Sequence, residues 1–547
     1  MKPENTFILE GNIVDVVNRR IFKGRVEARN GKIVKITEAP VNANAFILPG
    51  LIDTHVHVES SMLIPSEFAR LAVPHGTVAS VSDPHEIGNV LGVEGVRYMI
   101  NNSRKVPFKF YFGAPSCVPA TPFETSGAQI TPQEVKHLLE TDEVKYMAEM
   151  MNFPGVLSGD PQVKEMLQAA LDNNKPVDGH APGVLGDDAK KYAAAGITTD
   201  HECFSKAEAL DKIAAGMKIQ IREGSAAKNF DDLVSLLDDH PDKVMFCSDD
   251  KHPDNLVEGH INKLISRAID AGYDKLDVLR AATLNPARHY SLEVGLLQEN
   301  DPADIIVVDS LEDFNVLETY INGQLVALDG QTHIRPVDEV TPNIFKATPI
   351  SADDIAVEAR GQQMRVFKAL DGQLITESIL AEPLVKNGKV VSDTEKDILK
   401  IVVLNRYEPA KPAVAFVHNF GFKQGAIASS VAHDSHNVIA VGVSDEEITK
   451  AMNLVIEETG GISWVNENRE IVLPLPVAGI MSNDNGYNVA SKYAELDAKA
   501  KNLGSSLSSP YMTLSFMALL VIPHLKLSDK GLFDGDKFAF TDLFTQE

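Results

Sequence analysis

The chain has 547 residues, 44% of them hydrophobic and 23% charged, a globular composition that argues against disorder and, at about 100 to 250 residues per domain, calls for two or three domains. Its 77 Asp and Glu against 51 Lys and Arg leave a net charge of -26, which repels nucleic acid and anionic membrane surfaces and favours small neutral or cationic ligands. Met1 to Lys23 has no signal-peptide core, the apolar stretch Tyr511 to Leu525 is too short to span a bilayer, and Cys117, Cys203 and Cys247 form no CxxC pair. A cytoplasmic protein with buried, unpaired cysteines is expected.

In chain order, Phe7 to Thr37 alternates in short strand-like runs such as Asn12 to Val17 and Lys32 to Ile36, with a turn at Arg29-Asn30-Gly31. The same pattern returns at Asp304 to Asp309 and Val316 to Leu328, around Asn322-Gly323, so both flanks are expected to form one small sheet. Between them lie eight strand candidates: Ala45 to Val58, Thr77 to Ser82, Pro107 to Phe112, Val144 to Met151, Pro176 to His180, Gly196 to His201, Met217 to Arg222 and Lys243 to Cys247. Amphipathic stretches separate them, among them Pro161 to Asn173, Asp187 to Ala195, Ala207 to Ala215 and Asp231 to Leu237. Such alternation predicts a parallel barrel.

After Pro336 mixed strands and helices follow, with strands at Ile398 to Leu404, Ala413 to Val417 and Val438 to Val443 and a helix at Asp445 to Glu458. The expected fold class is therefore α/β: a (β/α)8 TIM-type barrel over 47–288, a small β-sheet domain from both flanks (1–46 and 289–335), and a C-terminal α+β domain over 336–547.

Metal-binding residue types gather at the C-terminal ends of the predicted barrel strands, where barrel active sites lie. His55 and His57 end the first strand and, two apart, point to one side. Glu149 ends the fourth strand, His180 the fifth, His201 the sixth and Asp249 the eighth, so six donors would converge from five strand ends. Four imidazoles suit borderline divalent ions, and two carboxylates offset their charge, one of them able to bridge a pair of ions.

The segments Pro49-Gly-Leu-Ile-Asp-Thr-His-Val-His-Val-Glu-Ser-Ser61, Ser82-Asp-Pro-His-Glu-Ile-Gly88, Met147 to Gly155, Asp178-Gly-His-Ala-Pro182, Asp200-His-Glu202, Arg222-Glu-Gly-Ser225 and Cys247-Ser-Asp-Asp250 resemble the adenine deaminase family of the amidohydrolase superfamily. The resemblance continues through Val477 to Ser482 to the C-terminus. It implies hydrolytic deamination of adenine to hypoxanthine and ammonia, two divalent metal ions (manganese or iron favoured, zinc admissible), adenine and water as the small-molecule partners, and a homodimer.

Many members of the superfamily bridge their metals with a carboxylated lysine on the fourth strand. Here Lys145 shares the face of Glu149 but lies about 13 Å back along the strand, so Glu149 is the expected bridge. The resemblance then gives His55, His57, Glu149, His180 and His201 to the metals, and Asp249 to the metals and to proton transfer between water and the leaving amine. Glu223 and Glu86 are candidates for protonating or recognising the purine ring. Asp53 reads as a strand-end support, and Asp83, His85 and Glu86, in a turn at Pro84, as support or substrate contact, with an additional metal site near the mouth or a hydrogen-bonded loop as the alternatives. His433-Asp-Ser-His436 reads first as a polar turn beside a strand, with a cap over the site or an ion site as its alternatives.

His57-Val-Glu59 imitates half of the zinc deaminase signature, but no Pro-Cys-x-x-Cys follows. Two rivals remain: a cyclic-amide hydrolase of the dihydroorotase or hydantoinase kind, and a catalytically silent structural relative.

Overall fold

The structure is a computed structural model that describes residues 6–545. Strands β1 (Thr6–Asp15), β2 (Arg20–Arg29) and β3 (Lys32–Glu38) form an antiparallel meander, and β4 (Phe46–Pro49) pairs parallel to β1. The Asn30-Gly31 turn between β2 and β3 has both residues at positive φ, the condition a two-residue hairpin turn imposes.

Eight parallel strands follow: β5 (Leu51–Val56), β6 (Thr77–Ser82), β7 (Lys109–Ala114), β8 (Val144–Met150), β9 (Val177–Gly179), β10 (Thr199–Asp200), β11 (Lys218–Arg222) and β12 (Val244–Cys247). β5 to β9 are hydrogen bonded in sequence, as are β10 to β12. Parallel bridges Val177 to Ile197 and Val56 to Asp249 join the two runs into a closed barrel. Each predicted position holds a strand, but the first, Ala45 to Val58, breaks at Gly50 into β4 of the flanking sheet and β5 of the barrel, and the sixth shortens to Thr199–Asp200.

The helices Pro161–Asp172, Gly186–Ala194 and Lys206–Ala214 lie where the amphipathic pattern put them. The expected single helix at Asp231 to Leu237 is instead two short ones, Phe230–Leu233 and Leu236–Asp239. The Ser235 carbonyl accepts from Asp238 three residues on and from Lys206 Nζ (3.4 Å), a tighter turn that interrupts the α-helical ladder.

Chain returning from the barrel adds β13 (Ile305–Val308), β14 (Val316–Ile321), β15 (Gln324–Leu328) and β16 (Gln331–Thr332). β13 pairs antiparallel with β4, so one sheet of order β16-β15-β14-β13-β4-β1-β2-β3 contains both flanks.

The C-terminal region builds a second eight-stranded sheet whose centre is Ile398–Leu404 between Ala413–His418 and Val438–Gly442. Side chains alternate across it. Val402 and Leu404 pack under the helix Asp445–Glu457, against Ile448, Met452 and Val455. Leu399, Ile401 and Val403 face the other way, into the apolar cluster that contains Ile87, Tyr146 and Met147 of the barrel. The sheet is thereby cemented to the barrel, and the loop 430–437 between Ala426–Ser429 and Val438–Gly442 reaches the C-terminal ends of the barrel strands.

Candidate active site

β5 carries His55, and His57 follows directly; their rings lie edge to face with Nε2 atoms 3.2 Å apart. Asp249 sits just beyond β12 at φ +52°, a left-handed conformation that Asp tolerates better than most residues. Its backbone N–H donates to the His55 carbonyl (2.9 Å), so the bond that closes the barrel also delivers the carboxylate. Asp249 Oδ1 then lies 3.5 Å from His55 Nε2 and 3.3 Å from His57 Nε2.

Glu149, near the end of β8, stands between two groups of imidazoles. Its Oε1 faces His57 Nε2 (3.3 Å); its Oε2 faces His180 Nδ1 (2.7 Å) and His201 Nε2 (3.2 Å). His180 and His201 follow β9 and β10. The His180 N–H donates to the Tyr192 hydroxyl, which donates to the Met150 carbonyl. All six expected metal donors therefore meet in one buried place.

Burial alone would raise the Asp249 carboxyl, but His55, His57 and the Arg222 guanidinium outweigh it and hold it well below the ordinary carboxylate range. Glu149 is likewise pushed up by burial and held well down by His180, His201 and His57. Arg222 Nη1 donates to Asp249 Oδ2 (2.8 Å) and pairs with Glu202, a cavity-wall acid also 3.5 Å from His201 Nε2.

These residues fit divalent cations. Donor pairs about 3.4 Å apart are what ligands around an ion at about 2.1 Å present. His55, His57 and Asp249 form one mutually close donor set, while His55, Glu149 and His201 form another. With four imidazoles and two carboxylates, the set is the mixed nitrogen and oxygen type that borderline ions accept.

Around the donors, the Asp83 carboxylate accepts the backbone N–H of both His85 (3.0 Å) and Glu149 (3.1 Å), bracing the end of β8. Asp53 accepts from the Ser248 N–H (3.0 Å) and lies 2.8 Å from His260 Nε2, which steadies β5 against the chain entering Asp249. Glu86 lines the cavity. Glu223 is not among the cavity-lining residues: its carboxylate faces Arg267 (3.1 Å) and Lys228 (3.7 Å), with 20% of the side chain exposed.

His433 to His436 do form a polar turn before the strand Val438–Gly442, and that turn is buried over the site, as the cap alternative has it. These residues are 1–3% exposed, and His433 and Asp434 form part of the cavity wall. A turn rich in polar residues goes to solvent only if nothing else can pair with it; here Glu86 and the barrel mouth do.

Leu374, Phe516, Leu519 and Met151 add an apolar roof that sequence reasoning missed. Leu374 and Phe516 are tied together by the fully buried Lys526, whose Nζ donates to the Leu374 carbonyl (2.6 Å) and the Phe516 carbonyl (2.8 Å), while burial pushes its amine down to about 7. Lys526→Met strips the Leu374 carbonyl of this donor and is expected to cost about 2 kcal/mol, read as a lower midpoint in urea unfolding. An unchanged midpoint would remove the clasp from the account. Glu202 and Asp250, also cavity residues, were missed because each follows a donor already assigned; the signal available was their adjacency to His201 and Asp249.

Comparison with known proteins agrees with this arrangement. Residues 46–326 match the amidohydrolase family and residues 373–539 the adenine deaminase C-terminal domain. The chain is similar to the adenine deaminase of Salinibacter ruber, 56% identical over 98% of this chain and 99% of that one. It is 54% identical to the adenine deaminase of Sulfurovum sp. and 51% identical to that of Methanosarcina mazei, each over 98% of this chain and 99% of the relative. No helix among the described residues is long and apolar enough to cross a membrane. With sequence similarity running from end to end over both the barrel and the C-terminal region, this chain belongs to the adenine deaminase family of the amidohydrolases.

Proposed function

We propose that the chain hydrolyses adenine to hypoxanthine and ammonia, as a cytoplasmic purine-salvage enzyme acting as a homodimer with two ions of manganese or iron, zinc being admissible. The observation that carries adenine over other cyclic amides is the match of residues 373–539 to the adenine deaminase C-terminal domain, within full-length similarity to proteins of that name. In this reading 47–288 is the catalytic barrel, 1–46 and 289–335 its flanking sheet, and 336–547 the domain that roofs the site.

His55, His57 and Asp249 would hold one ion and His180 and His201 the other, with Glu149 offering one oxygen to each side. Divalent ions bound there supply Lewis-acid activation, bringing the pKa of water toward neutrality. Asp249, kept ionised by His55, His57 and Arg222, takes a proton from water and delivers it to the amine leaving C6. Glu202 holds Arg222 from its other side. Phe516, Leu374 and Leu519 press on the planar base and exclude bulk water, which strengthens every charge interaction inside. Glu86 meets the purine side of the cavity through its partners, whereas Glu223, turned to Arg267, acts as a support of the barrel rim.

Purified protein is expected to release ammonia from adenine with no ring opening of dihydropyrimidines. Chelation is expected to abolish turnover, and manganese or ferrous ion to restore it at about two equivalents per chain. Ring opening without adenine turnover would point to the cyclic-amide hydrolases, and fewer than about one bound ion per chain to a silent relative.

A further inference from the structure

We propose that His433, from the C-terminal region, protonates the purine ring at N1 and that Glu86 is its positioning residue, an inference that rests on the deaminase reading above. Addition of water at C6 pushes the C6–N1 electron pair onto N1, so a proton donor must stand on the cavity wall. Of the acids considered from sequence, Glu223 does not line the cavity. Glu86 does, but its Oε1 is bonded to His433 Nδ1 and its Oε2 lies against the His436 ring. Arg222 is committed to Glu202 and Asp249.

His433 has the geometry the step needs. It lines the same cavity as Glu149 and Asp249 and is 2% exposed. With Nδ1 held by a carboxylate, the ring is fixed in the orientation of a carboxylate-histidine pair, presenting Nε2 to a substrate. That Nε2 is buried and has no hydrogen-bond partner; its nearest ion-pair contact is Asp250 Oδ1 at 3.8 Å. The imidazole stacks on Phe516 of the roof, centroids 5.1 Å apart and planes at 23°, which sets its tilt. Burial disfavours the charged ring, but Glu86 and Asp250, with Asp434 further off, outweigh it and hold the imidazole at about 9, so it carries its proton at neutral pH.

The step balances. A C6–O bond forms from water as N1 takes the Nε2 proton; the C6–N bond breaks as the amine, given the water proton held by Asp249, leaves as ammonia. The remaining hydroxyl proton departs through Asp249, and one proton from water recharges His433 between turnovers.

The test uses full-length, metal-loaded protein, adenine, and 1-deazaadenine, in which a CH replaces N1. Wild type is expected to be inhibited by 1-deazaadenine with a Ki at least about tenfold above its KM for adenine, and His433→Gln to close that gap to about twofold. His433→Gln is also expected to lower kcat/KM for adenine about 10²- to 10³-fold with metal content unchanged. A gap that persists in the variant, or kcat/KM within about threefold of wild type, overturns the assignment. If His433→Gln fails to fold by circular dichroism, Glu86→Gln serves: narrowing of the same gap supports the pair, and an unchanged gap overturns it. A wild type that releases no ammonia from adenine counts against the deaminase reading, whereas a wild type that does so while His433→Gln keeps the gap counts against the His433 assignment alone.

Discussion

Asp249→Asn is expected to lower kcat for adenine by at least about 10³-fold, the upper range for losing a positioned acid-base group. The amide cannot accept a proton from water and cannot return one to the amine. It also removes the negative charge facing His55 Nε2 and His57 Nε2 at 3.5 and 3.3 Å, so the affinity for one ion of the pair should fall as well. Arg222 would keep Glu202, but its 2.8 Å bond to Asp249 would become at best a bond to a neutral amide oxygen, leaving a buried guanidinium with less charge to offset it. Reconstituting the variant with excess manganese separates the two effects: restored metal content with kcat still depressed assigns the loss to proton transfer. A reconstituted variant retaining more than about a tenth of wild-type kcat would remove Asp249 from the chemistry.

Glu149→Gln carries the second large effect, and Lys145→Ala is its partner experiment. Glu149 is the only expected donor whose two oxygens face different imidazoles, Oε1 toward His57 and Oε2 toward His180 and His201. A neutral amide there offers one acceptor instead of two and no charge to offset a pair of divalent ions. Bound metal should fall to about one equivalent or less, and kcat by about 10³-fold or more, a loss within the range that several kcal/mol of transition-state stabilisation represents. Lys145 is the second residue of β8 and Glu149 the last but one, so the lysine is expected to be dispensable: Lys145→Ala should keep both ions and nearly full activity. The reverse pattern, metal lost with Lys145→Ala and kept with Glu149→Gln, would restore a lysine bridge.

Much of the site was legible because barrels make a local rule out of a global one. A residue at the C-terminal end of any barrel strand faces the same mouth, so His55, His57, Glu149, His180, His201 and Asp249 could be gathered from strand spacing without knowing a single contact. The flanking sheet was legible for a similar reason: two alternating runs with Asn-Gly turns need each other's edges, and β4 and β13 supply them. Where a local pattern admitted two partners, reading failed. His433 to His436 looks like a solvated turn because nothing nearby in sequence can satisfy it, yet Glu86, 347 positions from His433, does.

The amino-acid sequence by itself determined the order of the barrel strands and placed six candidate donors near their C-terminal ends, since strand period and approximate strand-end position are short-range properties of the chain. Only the tertiary structure decided which acids face the cavity, that Glu202 and Arg222 sit beside Asp249, and that the C-terminal sheet brings His433 and Phe516 over the mouth. Those facts depend on packing between elements from about twenty to several hundred residues apart. Such contacts are selected by shape and by the cost of leaving buried polar groups unpaired, and neither is written into any local stretch of sequence.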